Sequence, residues 1–205
     1  MKLQSAHFNS LLNRLGQDFA WRKGYACPCA NPVSGSPKNN CPQCSGRGRV
    51  WDAPINGAAG VISRDRLYKY AAFGPWENDD LFLSIGSDSV LYDMGLFDRV
   101  MALNRSEPFS VTFVPGRNDT LRFPVISVDR AFILEDGDIT DIDLPTIKAD
   151  GTLEWAFAPN VPYSLTGRRI PEYYVHVNIP VDRPLHHGEQ LPRRCVLRRF
   201  DLMGR

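Results

Sequence analysis

Tyr173-Tyr174-Val175-His176-Val177-Asn178-Ile179 is the stretch that decides the fold. Tyr173, Val175, Val177 and Ile179 alternate with Tyr174, His176 and Asn178, a period of two that sets the first four on one face of a strand. β-branched and aromatic residues dominate it, and these suit a pleated, half-buried surface. The same texture recurs upstream. Phe109, Val111 and Phe113 alternate with Ser110 and Thr112, and Leu153, Trp155 and Phe157 alternate with Thr152, Glu154 and Ala156. Leu81–Ile85 is a short apolar run, Arg130–Leu134 is a further strand candidate, and Cys195-Val196-Leu197 reads as a closing strand. The turn Pro115–Asp119 would join Phe109–Phe113 to Leu121, Phe123 and Val125 as a hairpin. Sixteen Pro and sixteen Gly punctuate the chain. No βαβ rhythm appears, and after residue 50 helical turns are signalled only near Ser89–Leu91 and Leu96–Leu103. The expectation is a mainly β protein whose residues 53–205 form a β-barrel or sandwich.

Residues 1–22 read as one amphipathic helix. Phe8, Leu11, Leu12, Leu15 and Phe19 fall on one stripe, with Ser5 as its N-cap. Gly16 lies inside the pattern and costs about 1 kcal/mol relative to Ala. The stripe needs a surface, either the β domain of its own chain or that of a neighbouring subunit.

Between helix and strands, residues 23–52 hold Tyr25–Val50, YACPCANPVSGSPKNNCPQCSGRGRV, with four of the five cysteines. Cys27-x-Cys29 and Cys41-x-x-Cys44 are separated by eleven residues rich in turn formers. Thiolates are zinc ligands, and a tetrahedral Zn²⁺ takes four of them at about 2.3 Å. Gly46 and Gly48 let backbone amides turn toward the sulfurs. Four thiols with no His, Asp or Glu between them predict a closed structural zinc knuckle, with a disulfide pair and redox use as the alternatives. Nothing in the first residues resembles a secretory signal, so the expected compartment is a reducing cytoplasm, where such pairs bind metal more often than they oxidise.

Net charge is +1, which gives no global basic field. No apolar run reaches the roughly 18 residues of a membrane span. Glu135–Asp143 carries five acids and reads as an exposed loop, without the residue order of an EF-hand. The last stretch is rich in arginine: Arg193, Arg194, Arg198 and Arg199, with Phe200. These five residues read either as a tail that docks on an acidic partner or as a last strand with solvated arginine rows. His186, His187 and Glu189 share a loop and offer a metal-dependent enzyme reading, whereas a lone HH pair is more often only polar. Cys195 reads as a buried apolar cysteine. No phosphate loop, nucleophile elbow or metalloprotease motif occurs, so no catalytic residue is assigned. Lys38, Arg47 and Arg49 around the knuckle supply the alternative of a zinc-stabilised nucleic-acid-binding module.

Several pieces together resemble a family of small tailed-bacteriophage neck proteins. They are Phe19–Lys23 leading into Tyr25–Cys29, Ser34–Pro37 leading into Cys41–Gly48, Gly167–Val175, and Leu191–Leu202. The resemblance covers both ends of the chain and the middle by texture. It implies a virion structural protein: a head-completion, head–tail connector, stopper or collar protein with a compact β-barrel. Such a protein assembles as a homo-oligomeric ring between portal or adaptor and tail, with DNA passing the bore without sequence-specific binding and with no membrane partner. It offers no catalytic residues.

Overall fold

The helix is shorter than its stripe predicts. In a computed structural model that describes residues 5–62, 79–117, 120–179 and 185–203, α1 is Ser5–Leu15 and strand β1, Gln17–Arg22, follows at once. Phe19 stands four residues from Leu15 but two from Trp21, and the strand period wins. Phe19 and Trp21 are 0% and 7% exposed inside a barrel. The break is Gly16. Its amide donates to the Leu12 carbonyl at 2.7 Å. A Cβ there would lie 2.4 Å from that oxygen and 3.1 Å from the Ala59 carbonyl oxygen, so the switch from helix to strand needs glycine.

The chain divides into two compact units, residues 1–104 with 172–205, and residues 105–171. The expected single domain over 53–205 is therefore corrected. The barrel recruits β1 from the presumed helix, and 105–171 builds a core of its own.

The first unit holds β1, β2 (Gly24–Ala26), β3 (Arg49–Trp51), β4 (Ile55–Val61), β5 (Leu81–Ile85) and β6 (Arg99–Ala102). The second holds β7 (Glu107–Phe113), β8 (Val125–Glu135), β9 (Asp138–Ile142), β10 (Thr146–Ile147), β11 (Leu153–Glu154) and β12 (Tyr163–Arg169). The chain then returns to the first unit with β13 (Glu172–Ile179), β14 (Leu185–His186), β15 (Glu189–Gln190) and β16 (Arg193–Arg199). Six of these close an antiparallel barrel in the order β1-β4-β5-β16-β13-β6, with β6 pairing back to β1. Its interior is filled by Phe19, Leu81, Leu83, Ile85, Val100, Tyr173, Val175, Cys195 and Leu197, joined by Leu91 and Met94 from a 3₁₀ segment. Six strands leave room for side chains only, so the barrel is a packed core.

Tyr173 and Val175 point into that core, but Val177 and Ile179 do not follow them. The register of β13 against β16 shifts between Val175 and Val177. One extra residue at His176 moves the later side chains to the opposite face, where Val177 and Ile179 join Phe82 and Val196. The expected single face of four residues is thus two faces of two.

α1 lies on its own barrel, with an unusual face inward. Asn9 is its buried residue. The Asn9 side-chain amide donates to Ser87 Oγ at 3.0 Å, and its oxygen accepts from the Ser87 amide at 3.2 Å. Phe8, Leu11 and Leu15 are exposed. Ser5 sits inside α1, where its hydroxyl donates to Glu189 Oε2 at 2.9 Å.

In the second unit β7-β12-β8-β9 form an antiparallel sheet. The Phe109–Phe113 strand pairs with β12, and Leu121 and Phe123 precede β8 without pairing to β7. The predicted hairpin across 115–119 is corrected, because Leu121 instead ties to Gly151 by its amide at 2.8 Å. Asn118 and Asp119 of that turn lie outside the described residues. Glu135–Asp143 is not a loop but the tip of a β8–β9 hairpin, turned through Asp136 and Gly137 at φ of 50° and 93°. Leu153 is buried, whereas Phe157 is fully out of the strand and 84% exposed.

Candidate metal centre

The four-cysteine segment rises from the barrel on a two-stranded stem. β2 pairs with β3, Gly24 opposite Trp51, Tyr25 opposite Val50 and Ala26 opposite Arg49. The stem is tied down by three side-chain contacts, one of them built on a buried acid. Asp98, 1% exposed, accepts from the Gly24 amide at 2.8 Å, the Trp21 Nε1 at 2.7 Å and the Gly95 amide at 2.7 Å. Trp51 Nε1 donates to the Phe97 carbonyl at 3.1 Å, and the Tyr25 hydroxyl donates to Asp52 Oδ2 at 2.8 Å.

Above the stem the loop has almost no apolar content, so backbone hydrogen bonds and sulfur must shape it. The Cys27 amide donates to the Gly48 carbonyl at 2.8 Å and closes the loop at its neck. Asn31 Oδ1 accepts from the amides of Val33 and Ser34 at 2.8 and 3.1 Å, an Asx turn that fixes the far end. The second ligand pair sits in a knuckle: the Ser45 amide donates to the Cys41 carbonyl at 2.8 Å and the Arg47 amide to the Cys44 carbonyl at 3.0 Å. Gly46 and Gly48 take φ of 81° and 72°, which a side chain would strain.

The four Sγ atoms lie within 4.8 Å of one another. Cys27 Sγ is 3.8 Å from Cys41 Sγ, and Cys29 Sγ is 3.5 Å from Cys44 Sγ. All are free thiols. A disulfide needs about 2.05 Å, whereas a tetrahedron with bonds of about 2.3 Å has edges of about 3.8 Å. The spacing fits one tetrahedral ion and no disulfide. Cys27, Cys41 and Cys44 are buried and Cys29 half-buried. Among the described residues this is the only cluster of three or more His, Cys, Asp or Glu ligand atoms close enough for one ion.

Backbone amides supply the surroundings a thiolate site needs. Those of Cys44 and Gln43 donate to Cys41 and, against the opposing effect of burial, lower its thiol to about 6. The Lys38 amide pulls Cys29 down, but burial and the three neighbouring sulfurs outweigh it and push that thiol up to about 12. One sulfur is therefore ready as a thiolate near neutral pH while a second holds its proton. A divalent cation removes that conflict by taking both charges. The cluster can hold a metal ion.

The other predicted residues fall elsewhere. β16 is an inner barrel strand between β5 and β13, not a free tail. Arg198 pairs with the buried Asp80 at 2.9 Å. Arg193 donates to the Met94 carbonyl and lies over Tyr92, and Arg199 lies over Tyr173. Arg194 is exposed and Phe200 buried. His186 and His187 stand with rings 4.4 Å apart in the β14–β15 hairpin, while Glu189 holds Ser5. They join no described metal cluster. Cys195 is 0% exposed, and burial pushes its thiol up to about 12. Around the knuckle Lys38 is exposed, whereas Arg47 lies over Phe200 at 4.9 Å and Arg49 over Phe97 at 3.9 Å.

Sequence reasoning missed Asp98 and the ring partners of Arg47 and Arg49. A lone acid in Leu96-Phe97-Asp98-Arg99 carries no spacing signal, and arginine–ring pairs join residues far apart in the chain. No described helix is long and apolar enough to cross a membrane. The chain matches no protein-family model and no curated protein.

Proposed function

We propose that the protein is a structural subunit of a tailed-bacteriophage neck, a non-enzymatic, zinc-stapled β-barrel that forms a ring between portal and tail. The observation that supports this best is the knuckle itself. Four sulfurs with tetrahedral spacing fill the first shell of a zinc ion, so the centre is closed and acts as a staple for a polar projection. The stem fixes that projection to a closed barrel, which gives a stiff feature for a neighbouring protein to grip. The likeness of both chain ends to neck proteins supplies the place of assembly, the virion.

The donor set supports zinc, since four thiolates suit Zn²⁺ and disfavour hard cations. Ring subunits use two different, complementary surfaces. The two units differ in sign: residues 105–171 carry seven Lys and Arg against ten Asp and Glu, which leaves seventeen against thirteen for the remainder. A net −3 on one unit and +4 on the other favours head-to-tail contact between copies.

Analytical ultracentrifugation and negative-stain imaging of the chain with portal and tail proteins test the assembly. Closed rings are expected. A chain that stays monomeric and binds none of them overturns the reading.

A further inference from the structure

We propose that the metal centre fastens the C-terminal segment to the barrel through Arg47, so that metal occupancy sets how firmly residues 200–203 are held. This rests on the zinc reading above.

Arg47 follows the ligand Cys44 by three residues, in the turn Ser45-Gly46-Arg47-Gly48. That turn takes left-handed backbone at Ser45, Gly46 and Gly48, with φ of 50°, 81° and 72°. Its hydrogen bonds run to ligand residues: Ser45 to the Cys41 carbonyl, Arg47 to the Cys44 carbonyl, and Cys27 to the Gly48 carbonyl. The buried cluster beside it consists of the cysteines themselves with Val50 packed against them, so gathering the sulfurs steadies the turn that carries Arg47.

The Arg47 guanidinium lies over the Phe200 ring at 4.9 Å. Phe200 begins the 3₁₀ turn Phe200–Leu202 that follows the last strand, and it is 6% exposed. Its other covers belong to the barrel strand β6 and to β3 of the stem, neither of which carries a sulfur. Arg99 lies over the ring at 4.3 Å and is held by a bidentate pair with Glu172, Nε to Oε1 at 3.1 Å and Nη2 to Oε2 at 2.6 Å. Trp51 meets the ring edge-on at 5.3 Å and is held through its Nε1 by the Phe97 carbonyl. Phe200 is thus clamped between one arginine fixed by the barrel and one fixed by the knuckle. Metal loss loosens the turn that carries the second arginine and leaves the first in place.

Arg49 supplies the internal control. It lies over Phe97 at 3.9 Å, but it belongs to β3, whose pairing with β2 does not involve the sulfurs. Its contact survives metal loss.

Hydrogen exchange read by mass spectrometry on the full reduced chain tests the clamp, with one equivalent of Zn²⁺ or with a chelator. The Met203 amide, which donates to the Phe200 carbonyl at 3.2 Å, is the reporter. Chelation is expected to speed exchange across 200–203 by roughly fivefold, the scale of one arginine–ring contact, and to leave the β7–β12 pairing unchanged. Arg47→Ala should show the fast rate even with zinc bound, Arg47→Lys should restore part of the protection, and Arg49→Ala should leave 200–203 protected. Zinc bound at one per chain with equal exchange in both states overturns the clamp and leaves the zinc reading standing. A reduced chain that binds no zinc overturns both.

Discussion

Trp21 Nε1 donates to Asp98 Oδ2 at 2.7 Å across the join between β1 and the segment leading into β6. The same carboxylate collects the amides of Gly24 and Gly95, so one buried acid sets the start of the cysteine stem and the end of the 3₁₀ segment. Asp98→Ala leaves one buried and two part-buried donors without their acceptor, at about 1–3 kcal/mol each before relaxation. We expect a loss of at least about 3 kcal/mol in urea unfolding, with Asp98→Asn milder because one oxygen remains. A loss below about 1 kcal/mol would mean that water replaces the carboxylate.

Cys41→Ser removes the thiol that the amides of Cys44 and Gln43 lower to about 6. Elemental analysis should fall from near one zinc per chain to well under half, and the melting temperature should drop, because metal that binds only the folded chain stabilises it. Unchanged metal content in a reduced preparation would count against the quartet as the site.

The metal-free chain should show the Cys41 effect as a pH dependence. Its folded thiol, at about 6, lies below the ordinary value of 9.0, so its contribution is present above about 9 and is lost as pH falls through about 6. The difference in stability between the chelated parent and chelated Cys41→Ser should therefore shrink as pH drops from 9 to 6. A constant difference across that window would show that the amides of Gln43 and Cys44 do not hold a thiolate.

Much of this was legible in the chain and some was not, for physical reasons. The cysteine spacing is local chemistry, and its four ligands are the four that gather. The strand period at Tyr173–Ile179 predicted a strand but not the bulge at His176, because a register shift is set by the partner strand and leaves no mark in the alternation. Phe19 fits a helical stripe and a strand equally well; the barrel chose, through Gly57 and Ala102 opposite it. The β7 partner was misassigned because turn residues mark where a chain bends, not which strand it returns to. Asp98 was invisible, since its three donors come from residues 3 to 77 positions away.

Arg198 and Asp80 form a bidentate pair, with Nε and Nη2 at 3.2 and 2.9 Å from the two carboxylate oxygens and side chains 12% and 1% exposed. Arg198→Ala leaves that carboxylate buried without its guanidinium, a change of about 3–5 kcal/mol. Removal of both partners should cost less than the sum of the single changes, and a double-mutant cycle measured by chemical denaturation gives the coupling. Strict additivity would show that other groups already satisfy Asp80.

Cys195 offers the alkaline counterpart to Cys41. It fills the barrel interior at 0% exposure, and burial holds its thiol at about 12 against an ordinary 9.0. The folded pKa is raised, so its stability is intact below about 9 and is lost as pH rises toward 12, while the unfolded thiol ionises. The slope is one proton, about 1.4 kcal/mol per pH unit within that window. Cys195→Ala costs packing at every pH, yet it should unfold with a shallower dependence between pH 9 and 11 than the parent. Tyrosines and lysines titrate there too, but they are common to both chains and cancel in the difference. Parallel curves would place the Cys195 sulfur in contact with water, against its position between Leu83 and Asn178 in the strand pairing.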